Sequence, residues 1–200
     1  MKLKYWLPLA FAFCVTAAAD DSRVFTPADL NALARVSDPQ VSPDGRRVVY
    51  AQRETDFDAN RGRSDLWLLS LDDGAKPRRL TQHSANDTHP RWSVDGTNLY
   101  FLSARTGSVQ IWRLPLSGGE PVQITDFPLD VGSFEFSSGG GRIALAMDVF
   151  PDCADLQCTR DRLDAAAKNK ASGRRYESLF VRHWDEWRNG TRSNLFVAPI

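Results

Sequence analysis

The sequence predicts an all-β fold, an incomplete β-propeller of about three blades of four-stranded antiparallel sheet with a short helical insertion. Two repeats and one spacing predict it. "PQVSPDGRRVVYAQ" from Pro39 aligns with "PRWSVDGTNLYFLS" from Pro90, Pro, Ser, Asp and Gly coinciding at an offset of 51. A weaker copy, "FEFSSGGGRIALAM", starts at Phe134, and its Ser137 lies 44 residues beyond Ser93. Between these copies, "DLWLLSLDDGAKPRRLT" from Asp65 matches "QIWRLPLSGGEPVQIT" from Gln110, with Thr81 and Thr125 again 44 apart. Four short strands repeating at this period are the signature of a propeller blade. A β-sandwich also spaces its turns closely, but two motifs recurring in the same order weigh against it.

The first 19 residues are read before the blades. Lys2 and Lys4 precede an apolar run, "YWLPLAFAFCV", and Ala17 and Ala19 form an A-x-A site. This is the layout of a secretory signal peptide cleaved after Ala19, and the run of 11 residues is too short to span a bilayer. A retained anchor is the alternative. A lipoprotein reading of Cys14 is opposed by Phe13, which stands where a small residue belongs. The expected product is periplasmic or secreted, with no membrane attachment. Removing Lys2 and Lys4 leaves 23 basic and 25 acidic residues, a balance that points to no nucleic-acid partner.

Residues 20–37 form a lead-in, and 38–200 the partial propeller. Its blades cover about 39–81, 90–125 and 131–200, the last interrupted over 151–192. In Ser-Pro-Asp-Gly, proline presets φ at the second turn position, aspartate suits the third, and glycine accepts the positive φ that follows. Alternating apolar residues then mark strands: Val48 and Tyr50, Leu99 and Phe101, Ile143 and Leu145. "LWLLSL" and "IWRLPL" are the next strands, turned back at Asp-Asp-Gly and Ser-Gly-Gly. "NLFVAPI" from Asn194 reads as the opening of a third copy of that motif.

In the insertion, Cys153 and Cys158 form an even pair in an exported chain, which reads as a small disulfide loop. Zinc is the alternative, with His183 as a further ligand but no second pair to complete the set. "TRDRLDAAAKNKASG" reads as a short helix capped by Thr159 and ended by Gly173. A long connection in a compact fold is often functional.

With these residues in hand, the chain resembles the prolyl oligopeptidase family of serine peptidases, in the dipeptidyl-peptidase 5 and acylaminoacyl-peptidase-like branch. The resemblance rests on the lead-in "FTPADLNALARVSDPQVSPDGRRVVY", on "SDLWLLSL", "HPRWSVDG" and "QIWRLPLSGGEPVQIT", and on "RHWDEW…RSNLFV". It covers essentially the whole chain after the signal peptide. The SPDG repeats alone also fit a non-catalytic TolB-like binding propeller. The resemblance implies a propeller covering an α/β-hydrolase domain with a Ser-Asp-His triad, and short peptides with a free or blocked amino end as substrates. No catalytic residue can be carried over: there is no G-x-S-x-G, and His83, His89 and His183 all lie in propeller-like segments. A closed ring needs about 4–8 blades. The expectation is therefore an N-terminal piece of a longer parent, inactive alone and missing its hydrolase partner domain. No cofactor or metal is implied.

Four constellations carry candidate chemistry. "RHWDEW" offers Asp185 and Glu186 to a peptide's ammonium, with Trp184 and Trp187 as walls and cation–π partners. The structural alternative is an aromatic cluster fixing the insertion, its acids paired with Arg182 and Arg188. "DFDANRGRS" from Asp56 spaces oxygen side chains as calcium loops do, but its glycine is one place late and Trp67 replaces the bidentate glutamate; a polar loop fits better. Asp87 and His89 lack a nucleophile and read as a turn before a strand. Asn86 and Asn189 begin glycosylation sequons, relevant only in a eukaryotic secretory pathway.

Overall fold

The computed structural model describes residues 24–200 except 172, 174, 177, 178, 180 and 185, and at 183 and 186 the backbone alone. The signal-peptide segment 1–19 lies outside the described residues. A six-residue helix, α1 (Pro27–Ala32), opens the lead-in; Thr26 and Asp29 cap it reciprocally, with proline in its first turn.

Three antiparallel sheets follow. The first contains β1 (Arg35–Val41), β2 (Arg47–Asp56), β3 (Arg61–Ser70) and β4 (Arg78–Arg79), in that order. The second repeats the order with β5 (Asp87–Trp92), β6 (Asn98–Ser103), β7 (Gln110–Pro115) and β8 (Val122–Gln123). The third consists of β9 (Ser133–Phe136), β10 (Arg142–Val149) and, after the insertion, β13 (Arg192–Pro199), which pairs with β10 as the "NLFVAPI" match predicts. The sheets do not close into a ring; the fold is an incomplete propeller. The insertion carries α2 (Leu156–Lys168) and a two-stranded hairpin, β11 (Arg182–His183) and β12 (Glu186–Trp187).

Two apolar layers hold the sheets together. Val49, Ala51 and Leu66 of the first sheet meet Leu99, Phe101, Trp112 and Leu114 of the second. On the other side of the second sheet, Leu102 and Ile111 pack with Phe134, Ile143, Leu145 and Met147 of the third. Successive strand residues point to opposite faces, so β6 sends Leu99 and Phe101 one way and Tyr100 and Leu102 the other. The middle sheet is covered on both faces, and β6 accordingly runs without a polar alternation from Leu99 to Leu102.

The repeated motifs make repeated contacts. In the turn after β1, Gly45 N donates to Ser42 O at 2.8 Å with Gly45 at φ +70°, and Arg47 N donates to Ser42 Oγ at 2.9 Å. Gly96 with Ser93 and Gly140 with Ser137 reproduce the turn at φ +67° and +71°. A side chain at these glycines would be strained. The terminal Leu/Ile-Thr closes each blade. Thr81 Oγ accepts Leu66 N at 3.0 Å and donates to Asp65 Oδ1 at 3.2 Å. Thr125 Oγ accepts Ile111 N at 2.9 Å and donates to Gln110 Oε1 at 2.8 Å.

Two details of the insertion differ from expectation. Helix α2 is capped by Asp155, whose carboxylate accepts Cys158 N at 2.7 Å, and not by Thr159. Thr159 is fully buried one turn inside the helix, where its hydroxyl accepts Phe150 N. The helix ends at Lys168, before Gly173, with Asn169 as C-cap. Cys153 and Cys158 form the expected disulfide, Cα–Cα 5.6 Å.

Candidate functional site

The first strands of the first two sheets are broken at equivalent places. β1 has a bulge between Ser37 and Gln40, and β5 one between Thr88 and Arg91. Within them Asp38 (φ 48°) and His89 (φ 55°) adopt left-handed backbone just before Pro39 and Pro90. Such conformations cost about 1–3 kcal/mol each and persist where surroundings enforce them. Bulges re-aim side chains, and here they bring four ionisable groups from three sheets together. Arg91 Nη1 donates to Asp38 at 2.9 and 3.1 Å, and its Nε donates to Glu135 at 2.6 Å. His89 Nε2 lies 2.9 Å from Phe134 O, and Nδ1 lies 3.7 Å from Asp38 Oδ2. Trp92 Nε1 adds a bond to Gln40 O at 3.0 Å, and Arg47 stacks 5.0 Å over the Trp92 ring.

Asp87 and His89 therefore sit inside strand β5, not in a turn before it, because the bulge absorbs the Asp-Thr-His-Pro segment into the sheet. Asp87 is completely buried, with Oδ2 2.7 Å from Arg105, whose guanidinium lies 4.9 Å from Trp112. Arg105 also donates from Nε to Ser103 Oγ at 3.1 Å, so Ser103, the cross-strand partner of Asp87, is held in the same ion-paired group. The arrangement is an ionic frame tying blades together, with Glu135 65% exposed at its edge. The sequence reading missed it; the only signal was an ionisable residue before proline, recurring at the same offset of 51 as the turns.

The "RHWDEW" residues fall on the β11–β12 hairpin. Arg182 pairs with Trp187 and His183 with Glu186 across it. Trp184 occupies the turn at φ 51° with 82% of its surface exposed; Trp187 is 54% exposed. Trp187 stacks on Tyr176 with ring centroids 6.0 Å apart and has the Arg182 guanidinium 5.7 Å from its ring. Arg182 Nε donates to Trp184 O. Asp185 lies outside the described residues, as does the Glu186 side chain. The hairpin thus joins Trp184, Trp187 and the Glu186 backbone in one projection. A separate hollow of about 290 Å³ lies between α2 and the third sheet, lined by Asp130, Asp148, Arg160, Leu163 and Asn189 among others.

The remaining candidates are engaged locally. Asp56 Oδ1 accepts Ala59 N at 3.0 Å and Oδ2 takes Arg63 at 2.9 Å; these contacts hold its carboxyl below the usual 3.8. No group of three or more His, Cys, Asp or Glu residues suited to a metal occurs among the described residues. Asn189 Oδ1 accepts Thr191 N and Oγ, whereas Asn86 Oδ1 accepts Ser64 N between strands.

The chain compares with known proteins as follows. The family model described as "TolB beta propeller domain" matches residues 29–148. Dipeptidyl-peptidase 5 of Porphyromonas endodontalis is 28% identical over 186 residues, covering 92% of this chain and 26% of that protein. Dipeptidyl-peptidase 5 of Porphyromonas gingivalis is 28% identical over 88% of this chain and 25% of its own length. This chain thus spans about a quarter of these relatives. Among solved structures, the acylaminoacyl peptidase of Pyrococcus horikoshii superposes with a TM-score of 0.60 over 85% of this chain and 24% of its own, at 15% identity, which speaks for the fold alone. The recurring SPDG turns, the threonine-closed blades and the unclosed set of sheets are accounted for together: this chain belongs to the TolB β-propeller domain family, in the form that resembles the propeller region of dipeptidyl-peptidase 5 and acylaminoacyl peptidases.

Proposed function

We propose that this propeller segment serves an exported serine exopeptidase of the dipeptidyl- or acylaminoacyl-peptidase kind. In this reading the nucleophilic serine belongs to an α/β-hydrolase domain outside these 200 residues, and acyl transfer follows the usual covalent route. The blades restrict access to short peptides and help bind the amino end. The observation that carries the reading is the β11–β12 hairpin. It holds out Trp184 and Trp187, 82% and 54% exposed, beside the sequence positions Asp185 and Glu186. Large exposed aromatics mark binding surfaces. A peptide ammonium is attracted both by carboxylates and by indole faces.

In the full-length enzyme, Glu186→Ala raises KM for free-amino dipeptide substrates more than for N-blocked ones. Equal effects on both would remove the hairpin from substrate binding and leave it a structural clamp. The family match itself favours a second reading, a non-catalytic TolB-like binding propeller. Labelling of the native protein by a serine-directed fluorophosphonate separates the two, since a binding propeller carries no activated serine.

Export belongs to the same proposal. The Lys2–Lys4 start, the short apolar run and Ala17-x-Ala19 support secretion, and the Cys153–Cys158 bridge suits an oxidising compartment. Amino-terminal sequencing of the native protein should begin at Asp20. A chain retaining Met1 in the cytosol would overturn it.

A further inference from the structure

A different surface, away from the hairpin in sequence, gathers three arginines. On the first sheet, Arg35 of β1 stands directly opposite Arg53 of β2. Like charges in this position repel and destabilise a strand pair. Neither arginine has an ion pair among the described residues, and neither does Arg61 at the start of β3. All three line one hollow of about 230 Å³, with Asn31, Asn60 and Thr55 as further polar groups. The only carboxylate in that lining is Asp56, which is engaged by Arg63 and Ala59 N and also stands opposite Arg61 across β2–β3, leaving Arg35 and Arg53 as the uncompensated pair. The lining therefore has a net formal charge of +2, from three arginines and one aspartate.

The Arg53 guanidinium lies across Gly62, where an added Cβ would come within 2.1 Å of Arg53 Cζ. Gly62 faces Thr55 across β2–β3, so the missing side chain leaves the slot that Arg53 fills. Gly62 is not among the glycines with positive φ, so space rather than backbone conformation is what this glycine provides. The same β2–β3 connection is the counterpart, in the first sheet, of the β10–β13 connection that carries the insertion in the third.

We propose that the Arg35–Arg53–Arg61 hollow binds a small oxyanion, a carboxylate or a phosphate group. Guanidinium groups offer paired donors matched to both, and an anion placed between Arg35 and Arg53 turns their repulsion into attraction.

The test uses the purified protein at fixed ionic strength, titrated by calorimetry with inorganic phosphate in one arm and succinate in the other, against chloride. Saturable binding is expected in at least one arm, and the arm that binds names the anion. Arg53→Gln weakens it about tenfold, equivalent to about 1.4 kcal/mol. Gly62→Ala, which keeps every charge but displaces the Arg53 guanidinium, weakens it similarly. Arg46→Gln, an exposed arginine at the β1–β2 turn, leaves it unchanged. Melting provides the second readout: the bound anion raises Tm of the parent protein by mass action, and Arg53→Gln does not lower Tm in anion-free buffer. No saturable binding in either arm would overturn the proposal. So would equal losses in Arg46→Gln and Arg53→Gln, or full binding by Gly62→Ala.

Discussion

Thr81→Val replaces a hydroxyl by a methyl of the same shape, so its effect isolates the hydrogen bonds that close the first blade. Thr81 is buried, and its Oγ is the acceptor for Leu66 N at 3.0 Å and a donor to Asp65 at 3.2 Å. Valine leaves the Leu66 N–H buried without a partner, which costs about 1–3 kcal/mol. It also removes one bond to a carboxylate, worth about 1.5 kcal/mol at the low end of charged acceptors. Asp65 keeps its Arg79 partner, which limits the second loss. The net expectation is about 3 kcal/mol, or roughly a hundredfold in the folding constant. With a urea slope of about 2 kcal/mol/M, the unfolding midpoint falls by about 1.5 M. Thr125→Val breaks the matching bonds in the second blade, but its partner Gln110 is neutral, so about half that loss is expected. Thr81→Ser keeps both bonds and sheds one methyl, costing about 0.8 kcal/mol. Urea denaturation followed by tryptophan fluorescence reads all three. A Thr81→Val protein as stable as the parent, or a Thr81→Ser protein as damaged as Thr81→Val, would refute the assignment of this threonine as a hydrogen-bonding clasp.

Two further outcomes follow from the turn and from the insertion. The Ser93 hydroxyl, then the Thr97 N–H and hydroxyl, hold the Asp95 carboxyl down at about 2 from an ordinary 3.8. Because the folded value is depressed, this contribution is complete above about 3.8 and drains away as pH falls toward 2. Asp95→Asn should flatten the dependence of Tm on pH in that window, and an unchanged slope would show the turn bonds to be inconsequential. Reducing the Cys153–Cys158 bridge, which spans 5 residues, releases about 2 kcal/mol of loop constraint. The loss falls on the first turn of α2, so amide exchange should quicken over Leu156–Lys168 while the sheets keep their protection. Uniform acceleration across β2 and β6 would contradict a local role.

How much was legible depended on how local the determining contacts are. The Ser-Pro-Asp-Gly turns are legible in sequence because the bonds that shape them join residues within five positions, such as Arg47 N to Ser42 Oγ. The closing threonines were visible as a repeated Leu/Ile-Thr, though what they bind was not: Thr81 reaches Leu66 and Asp65 across the sheet. The helix in the insertion was expected, but its cap was misplaced. Asp155 and Thr159 are both competent N-caps, and burial against Phe150 took the threonine hydroxyl elsewhere. The "RHWDEW" stretch was singled out by composition, whereas its exposure and the Tyr176 stack depended on the hairpin it forms.

The sequence by itself determined the repeat, the turn chemistry and the propeller class, because turn residues and two-residue alternation act over a few positions and need no distant partner. Only the tertiary structure decided where ionisable groups converge. Asp38, Arg91 and Glu135 are far apart along the chain, and meet because two left-handed bulges re-aim side chains on neighbouring sheets. Arg35 and Arg53 became a site only when strand register set them face to face, and Gly62 acquired a role only as the space beneath a guanidinium. Register and bulges are set by packing over the whole sheet, so no short window of sequence contains them.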